Sequence, residues 1–131
     1  MNARFDLVLD VGVPIKVESL PNGAVIQRIP RTLETGRDIF LPAVAFAQVW
    51  RQDPRQYPMH KLRKTSRVVP FTEETAVSVG RLLRLSGTSD VVDAAVVVAA
   101  IEHDATVVTS DPADLSKLAG AVGFPLPLIE A

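Results

Sequence analysis

The run 91–103, VVDAAVVVAAIEH, is apolar on nearly every face of a helix. Such a helix has almost no side to give to water, so the rest of the chain must fold around it. Asp90, Asp93, Glu102 and Asp104 bracket its most apolar stretch, Ala94–Ile101. That stretch falls far short of the ~20 residues needed to cross a bilayer. The segment is therefore expected near the centre of a soluble core, with Ser89 or Asp90 as its N-cap.

What surrounds it alternates between strand and helix signals. Phe5–Leu9, FDLVL, reads as a short buried strand ending at Asp10, with Gly12 and Pro14 as breakers. SLPNGA, at 19–24, is a turn by composition. Pro30 splits 25–40, leaving room for a helix from about Thr32. Pro42 suits the first turn of a helix running through AVAFAQVWR, because its missing N–H is unpaired there anyway. Residues 52–66 read as a loop with a basic helical turn near 59–65, and Arg67–Val69 as a second strand. Thr72 caps a helix that carries Glu73 and Glu74 in its first turn and stops at Gly87. Ala105–Thr109 is a third strand. Asp111-Pro112 opens a helix through about Leu118, and Pro125–Ile129 is a last strand. This order predicts a single α/β domain over 1–131, with a mostly parallel sheet flanked by helices.

Composition narrows the chemistry. There are no cysteines, which excludes a disulfide scaffold, a thiolate zinc site and a cysteine nucleophile. His60 and His103 are too few for a histidine-built metal site, so any metal must be held by oxygen. With 47% hydrophobic residues and a net charge of −1, the chain is not disordered. MNARFDLVLD is not a signal peptide, and a cytoplasmic location is expected.

The small net charge hides a division. Arg51, Arg55, Lys61, Arg63, Lys64 and Arg67 face one acid, Asp53, within 51–67. Residues 85–131 hold Asp90, Asp93, Glu102, Asp104, Asp111, Asp114 and Glu130 against Lys117 alone. Such a pair of segments can steer a polyanion toward a cation site, or can be a solvated loop and a set of helix caps.

Three acidic positions share a place in the predicted topology. Asp10 ends the first strand, Asp111 follows the third, and Asp90 and Asp93 open the central helix. If those strands are parallel neighbours, Asp10 and Asp111 emerge at one sheet edge, where ligands of open α/β sheets gather. Two bare carboxylates ~4 Å apart repel by about 4 kcal/mol at an effective dielectric near 20. Several together must share protons or hold a cation. Magnesium or manganese suits them, and would activate water against a phosphodiester. Singly, each acid also has a structural reading: Asp90 as N-cap, Asp93 as first-turn acid, Asp111 as cap with Asp114 as its partner, and Asp10 as a strand end.

The block GTSDVVDAAVVVAAIEHDATVVTSDPADLSKLA, 87–119, resembles the C-terminal half of a PIN domain, closest to VapC-type toxins of prokaryotic toxin–antitoxin pairs. FDLVLDVG, 5–12, matches the strand ending in aspartate that opens that family. Asp93-Ala94, Thr109-Ser110-Asp111 and Asp114-Leu115 match its later motifs. The resemblance implies a PIN-like three-layer fold and a metal-dependent endoribonuclease. Asp10, Asp93 and Asp111 would then carry catalysis and hold Mg²⁺ or Mn²⁺. Thr109 would orient the cluster, with Asp90 and Asp114 as supporting acids. Gln48 stands where the family usually has glutamate. The implied partners are RNA, an antitoxin protein and a second copy of the chain, and no membrane. Arg51, Arg55, Lys61, Arg63 and Lys64 would meet RNA phosphates. Trp50 and Tyr57 are candidates for base stacking, and Trp50 equally for packing. His60 is expected at the surface, and His103 as a helix C-terminal cap. The second reading is a PIN-like RNA- or protein-binding module with little or no catalysis. A receiver-like phosphoacceptor domain fits less well, because Lys117 lies in a predicted helix and not after a strand.

Overall fold

The computed structural model describes residues 6–10, 38–53, 57–109 and 111–130. The turn read at 19–24, the helix from Thr32, Gly12, Pro14 and Arg55 lie outside them. Five strands form one sheet: β1 (Asp6–Leu9), β2 (Ile39–Pro42), β3 (Arg67–Val69), β4 (Ala105–Thr109) and β5 (Leu128–Glu130). Its order is β3-β2-β1-β4-β5 and every pairing is parallel. The helices are α1 (Ala43–Val49), α2 (Tyr57–Thr65), α3 (Glu73–Ser86), α4 (Val91–His103) and α5 (Pro112–Ala121).

Alternation along the strands divides the core between the two faces of the sheet. Val8, Phe40 and Val107 point to one face and pack with buried residues of α3, α4 and α5. Leu7, Leu9, Ile39, Leu41 and Val108 point to the other, against Val49 of α1 and Met59 and Leu62 of α2. A parallel sheet covered on both faces wants apolar residues at successive positions, and β1, β2 and β4 supply them. The result is the expected α/β architecture with a PIN-like fold, its sheet parallel throughout. Central α4 behaves as its sequence demands: Val92 and Ala94–Ala100 are all buried. Among the described residues, no helix is long and apolar enough to cross a membrane.

Local signals act where expected. Thr72 accepts the Thr75 N–H at the start of α3, and Gly87 ends it at φ +68°. That left-handed conformation favours glycine, which has no Cβ to clash. Three boundaries differ from the sequence reading. Ile39–Pro42 is a strand between β1 and β3, where the sequence left room for a helix from about Thr32 and placed Pro42 in the first turn of the next helix. IFLP is too short to show a period and is buried on both sides. Pro42 ends that strand and stands at the N-cap of α1. The last helix runs on to Ala121. The last strand begins at Leu128, because Pro125 and Pro127 have no N–H for the ladder. The carbonyl of Pro127 instead accepts the Val107 N–H at 2.9 Å.

Candidate carboxylate site

The strand order reverses beside β1. The chain builds outward through β2 and β3, then returns to place β4 on the other side of β1. That switch point lies between β1 and β4, whose carboxyl ends are the usual ligand position in open α/β sheets. The register Leu9↔Val108 brings Asp10 level with Thr109. The Asp10 N–H donates to the Val108 carbonyl at 3.0 Å and extends the ladder by one residue.

Asp10 is 3% exposed and Thr109 is fully buried. The Thr109 hydroxyl donates to Asp10 Oδ2 at 2.6 Å. The Thr109 hydroxyl oxygen in turn accepts the Asp111 N–H at 2.9 Å. One hydroxyl thus links the ends of two strands. Asp111 occupies the N-cap position of α5, yet its side chain makes no capping hydrogen bond. The charge of Asp111 instead acts on Asp114, whose pKa it raises.

Asp90 is the N-cap of α4, its Oδ1 accepting the Asp93 N–H at 3.0 Å. Asp93 sits half-buried one turn into the helix. Its pKa is raised to about 6, first by burial, then by the charges of Asp90, Asp10, Asp114 and Asp111. Acids from β1, α4, the end of β4 and α5 therefore act on one carboxyl group. The α4 N-terminus favours an anion at Asp93, but burial and the like charges prevail.

The donors are all hard oxygens carrying like charges that repel one another. In kind, that set fits a hard divalent cation such as Mg²⁺ or Mn²⁺. Among the described residues, no three acidic or histidine side chains stand arranged to hold an ion. The charge imbalance is in place and the coordination cage is not drawn closed. Gln48 is exposed near the end of α1, the helix that leads off the carboxyl end of β2.

The basic residues are spread differently. Arg51 donates from Nη1 to the carbonyls of Trp50, at 2.8 Å, and Ala47, at 3.4 Å, closing the last turn of α1. Lys61, Arg63 and Lys64 are exposed on α2. That helix enters β3 at its amino end, so Arg63 and Lys64 lie toward the sheet edge opposite the carboxylates. Arg67, at that edge, pairs with Asp38 at 3.2 Å. Trp50 packs rather than stands free: Phe46 lies 5.0 Å and His60 4.6 Å from it, ring centroid to centroid, and the Arg63 guanidinium lies 5.3 Å from its ring centroid. His60 is half-buried there, its Nε2 3.2 Å from the Asp53 carbonyl, so the surface placement expected for it gives way to packing. His103 stacks on Phe40 at 4.0 Å in the last turn of α4. Sequence reasoning missed Asp6, whose Oδ1 accepts the Asp38 N–H at 2.9 Å at the amino edge. An acid inside an apolar strand was the available signal.

Solved structures share this fold over most of the chain. A chain of the DNA-bound VapBC complex from Salmonella typhimurium superposes with a TM-score of 0.70 at 13% identity, covering 96% of this chain and 98% of that one. A chain of VapBC2 from Rickettsia felis, bound to a promoter DNA fragment, gives 0.69 at 14% identity, covering 97% and 99%. One of FitAcB from Neisseria gonorrhoeae gives 0.63 at 16%, covering 94% and 96%. At such identities the likeness establishes the fold, which is the one that the PIN-domain resemblance implied. No family model matches the sequence, and no curated protein matches it.

Proposed function

We propose that this chain is a metal-dependent endoribonuclease, the toxin of a toxin–antitoxin pair. The observation that carries the reading is that acids from four elements raise the pKa of one half-buried carboxyl, Asp93, at the switch point of the sheet. The fold neighbours that come from toxin–antitoxin complexes support it. Asp10, Asp93 and Asp111 would hold Mg²⁺ or Mn²⁺, with Asp90 and Asp114 in support. When bound, the ion supplies an activated water and a clamp for a phosphate oxygen. Thr109 fixes Asp10 and the Asp111 backbone. An antitoxin would cover the acidic edge, and the resemblance implies a homodimer. Arg51 and Lys61, with Arg55, would meet RNA phosphates. Arg63 and Lys64 would do so farther off: strands of this length span about 10–17 Å, roughly two or three nucleotides.

The test is RNA cleavage by the purified, partner-free chain with Mg²⁺ or Mn²⁺, and with EDTA. Cleavage is expected with either metal and none with EDTA. Equal cleavage under all conditions sinks the proposal.

Gln48 favours the second reading, a binding module with little or no catalysis. Glutamine brings an oxygen without charge, which weakens cation binding. That reading predicts no cleavage and RNA binding that persists in EDTA. If the nuclease reading holds, Gln48→Glu should lower the Mg²⁺ concentration for half-maximal cleavage by about tenfold, as one added charge contributes about 1.4 kcal/mol near an exposed site. An unchanged metal requirement would separate Gln48 from the site.

A further inference from the structure

We infer that Lys117 binds a phosphate of the RNA strand next to the one attacked, so that the acidic edge carries its own anchor for the substrate backbone. The inference deepens the functional reading and rests on it for the identity of the strand as RNA. Lys117 is the one lysine or arginine in residues 85–131, the span that carries every acid of the site except Asp10. It stands on α5, the helix that starts directly after Asp111 at the carboxyl edge of the sheet. Leu115, Leu118 and Ala119 of that helix turn inward, whereas Asp114 and Lys117 are exposed. Residues three apart on a helix are neighbours, so Lys117 follows Asp114 along one side of α5. Its charge reaches that group: Asp111 foremost raises the pKa of Asp114, and Lys117 draws it down. Two ordinary tasks of a helical lysine do not account for it. No basic residue lies in the last turn of α5, so Lys117 does not serve the negative end of the helix dipole. Among the described residues it closes no ion pair.

The surroundings select the ligand. Asp90, Asp111 and Asp114 are exposed at the edge that RNA must approach. Even with a divalent cation in place, Asp10, Asp90, Asp93, Asp111 and Asp114 leave a net negative charge, which repels a polyanion. The strand therefore needs a cation within reach of these acids. The other basic residues stand elsewhere. Arg51 closes its own helix, and Lys61, Arg63 and Lys64 lie on α2. Helices α2 and α5 cover opposite faces of the sheet. A strand crossing the carboxyl ends of β1 and β4 is then held from one face by Lys61 and from the other by Lys117. Along α5, Lys117 is about 9 Å from Asp111, which sets it against a different phosphate from the one at the acids. Lysine suits that task, as a compact charge on a flexible stem that meets phosphate without fixed geometry.

The experiment is binding of a fluorescein-labelled oligouridylate to the purified full chain, read by anisotropy over a series of KCl concentrations with Ca²⁺ in place of Mg²⁺. Lys117→Gln should raise the dissociation constant about three- to tenfold. It should also make the dependence of log K on log salt shallower by about 0.7, the value of one phosphate contact on a single strand. Lys117→Arg should keep both wild-type values. The position is an exposed helical one, so the urea midpoint should not move in either variant. In cleavage with Mg²⁺, KM for Lys117→Gln should rise by more than kcat falls. A salt slope and dissociation constant unchanged by Lys117→Gln would overturn the assignment, as would a loss that Lys117→Arg shares or a wild type that binds no RNA. Binding is read without chemistry, so a Lys117-dependent slope in a chain that cuts no RNA counts against the nuclease alone.

Discussion

Asp93→Asn is expected to abolish metal-dependent RNA cleavage and, at neutral pH, to make the protein more stable. Asp93 has a folded pKa of about 6 against an ordinary 3.8. The folded state therefore holds this proton more tightly than the unfolded chain does. As pH rises from about 4 to 6, folding must give up a proton that it favours, and stability falls. The cost is complete above pH 6 and absent below 3.8. A displacement of that size has a ceiling of about 3 kcal/mol, and for a half-exposed group in water about 1–2 kcal/mol survives screening. Asparagine keeps the shape of the neutral acid and removes the charge. Urea unfolding should thus show the variant about 1–2 kcal/mol more stable at pH 7, with the difference closing by pH 4. RNA cleavage should fall at least about a hundredfold. Added Mg²⁺ at ten times its dissociation constant should stabilise the wild type by about 1.4 kcal/mol and the variant by less. A variant less stable than wild type at pH 7, or a gain equal at both pH values, would show that burial and the neighbouring acids do not strain this carboxyl.

The opposed effects on stability and activity also explain what the sequence made legible. Helices α3 and α4 could be read almost to the residue, because local chemistry sets their ends: Thr72 and Gly87 bound α3, and Asp90 begins α4. Their interiors repeat over several turns. The strand β2 was illegible for the converse reason. Four apolar residues carry no period, and only β1 and β3 on either side make them a strand. For the site, the motifs placed each acid at an element end, but sequence spacing is silent on distance. Asp10 and Asp111 come together only because β4 lies parallel to β1, a long-range pairing. Of the structural readings of single acids, Asp90 does cap α4, whereas Asp111 stands at the cap position of α5 without a capping hydrogen bond. The division of charge proved less of a unit. Arg51 closes its own helix, Arg63 lies over Trp50 and Arg67 pairs with Asp38, so much of that basic segment serves packing and helix ends.

Thr109→Val is expected to be the most damaging conservative change at this edge. Valine fits the same fully buried space and the strand, so neither volume nor β propensity is lost. What is lost is one hydroxyl with two tasks, donating to Asp10 Oδ2 and accepting the Asp111 N–H. A carboxylate that is 3% exposed then has one donor fewer, and a backbone N–H loses its acceptor. Unmet groups of this kind cost about 1–3 kcal/mol each, so the variant should lose about 2–4 kcal/mol. Thr109→Ser keeps both hydrogen bonds and removes a methyl group, for about 1 kcal/mol. The expected stability order is wild type, then Ser, then Val, measured by urea unfolding at pH 7. The same order should hold for cleavage, with Val needing more Mg²⁺ for half-maximal rate, since an Asp10 that is no longer held must be ordered by the cation itself. Should Val equal Ser in stability, the hydroxyl is not what joins the two strand ends. Should Val lose stability but keep its metal requirement, Thr109 braces the fold and leaves the carboxylates to arrange themselves.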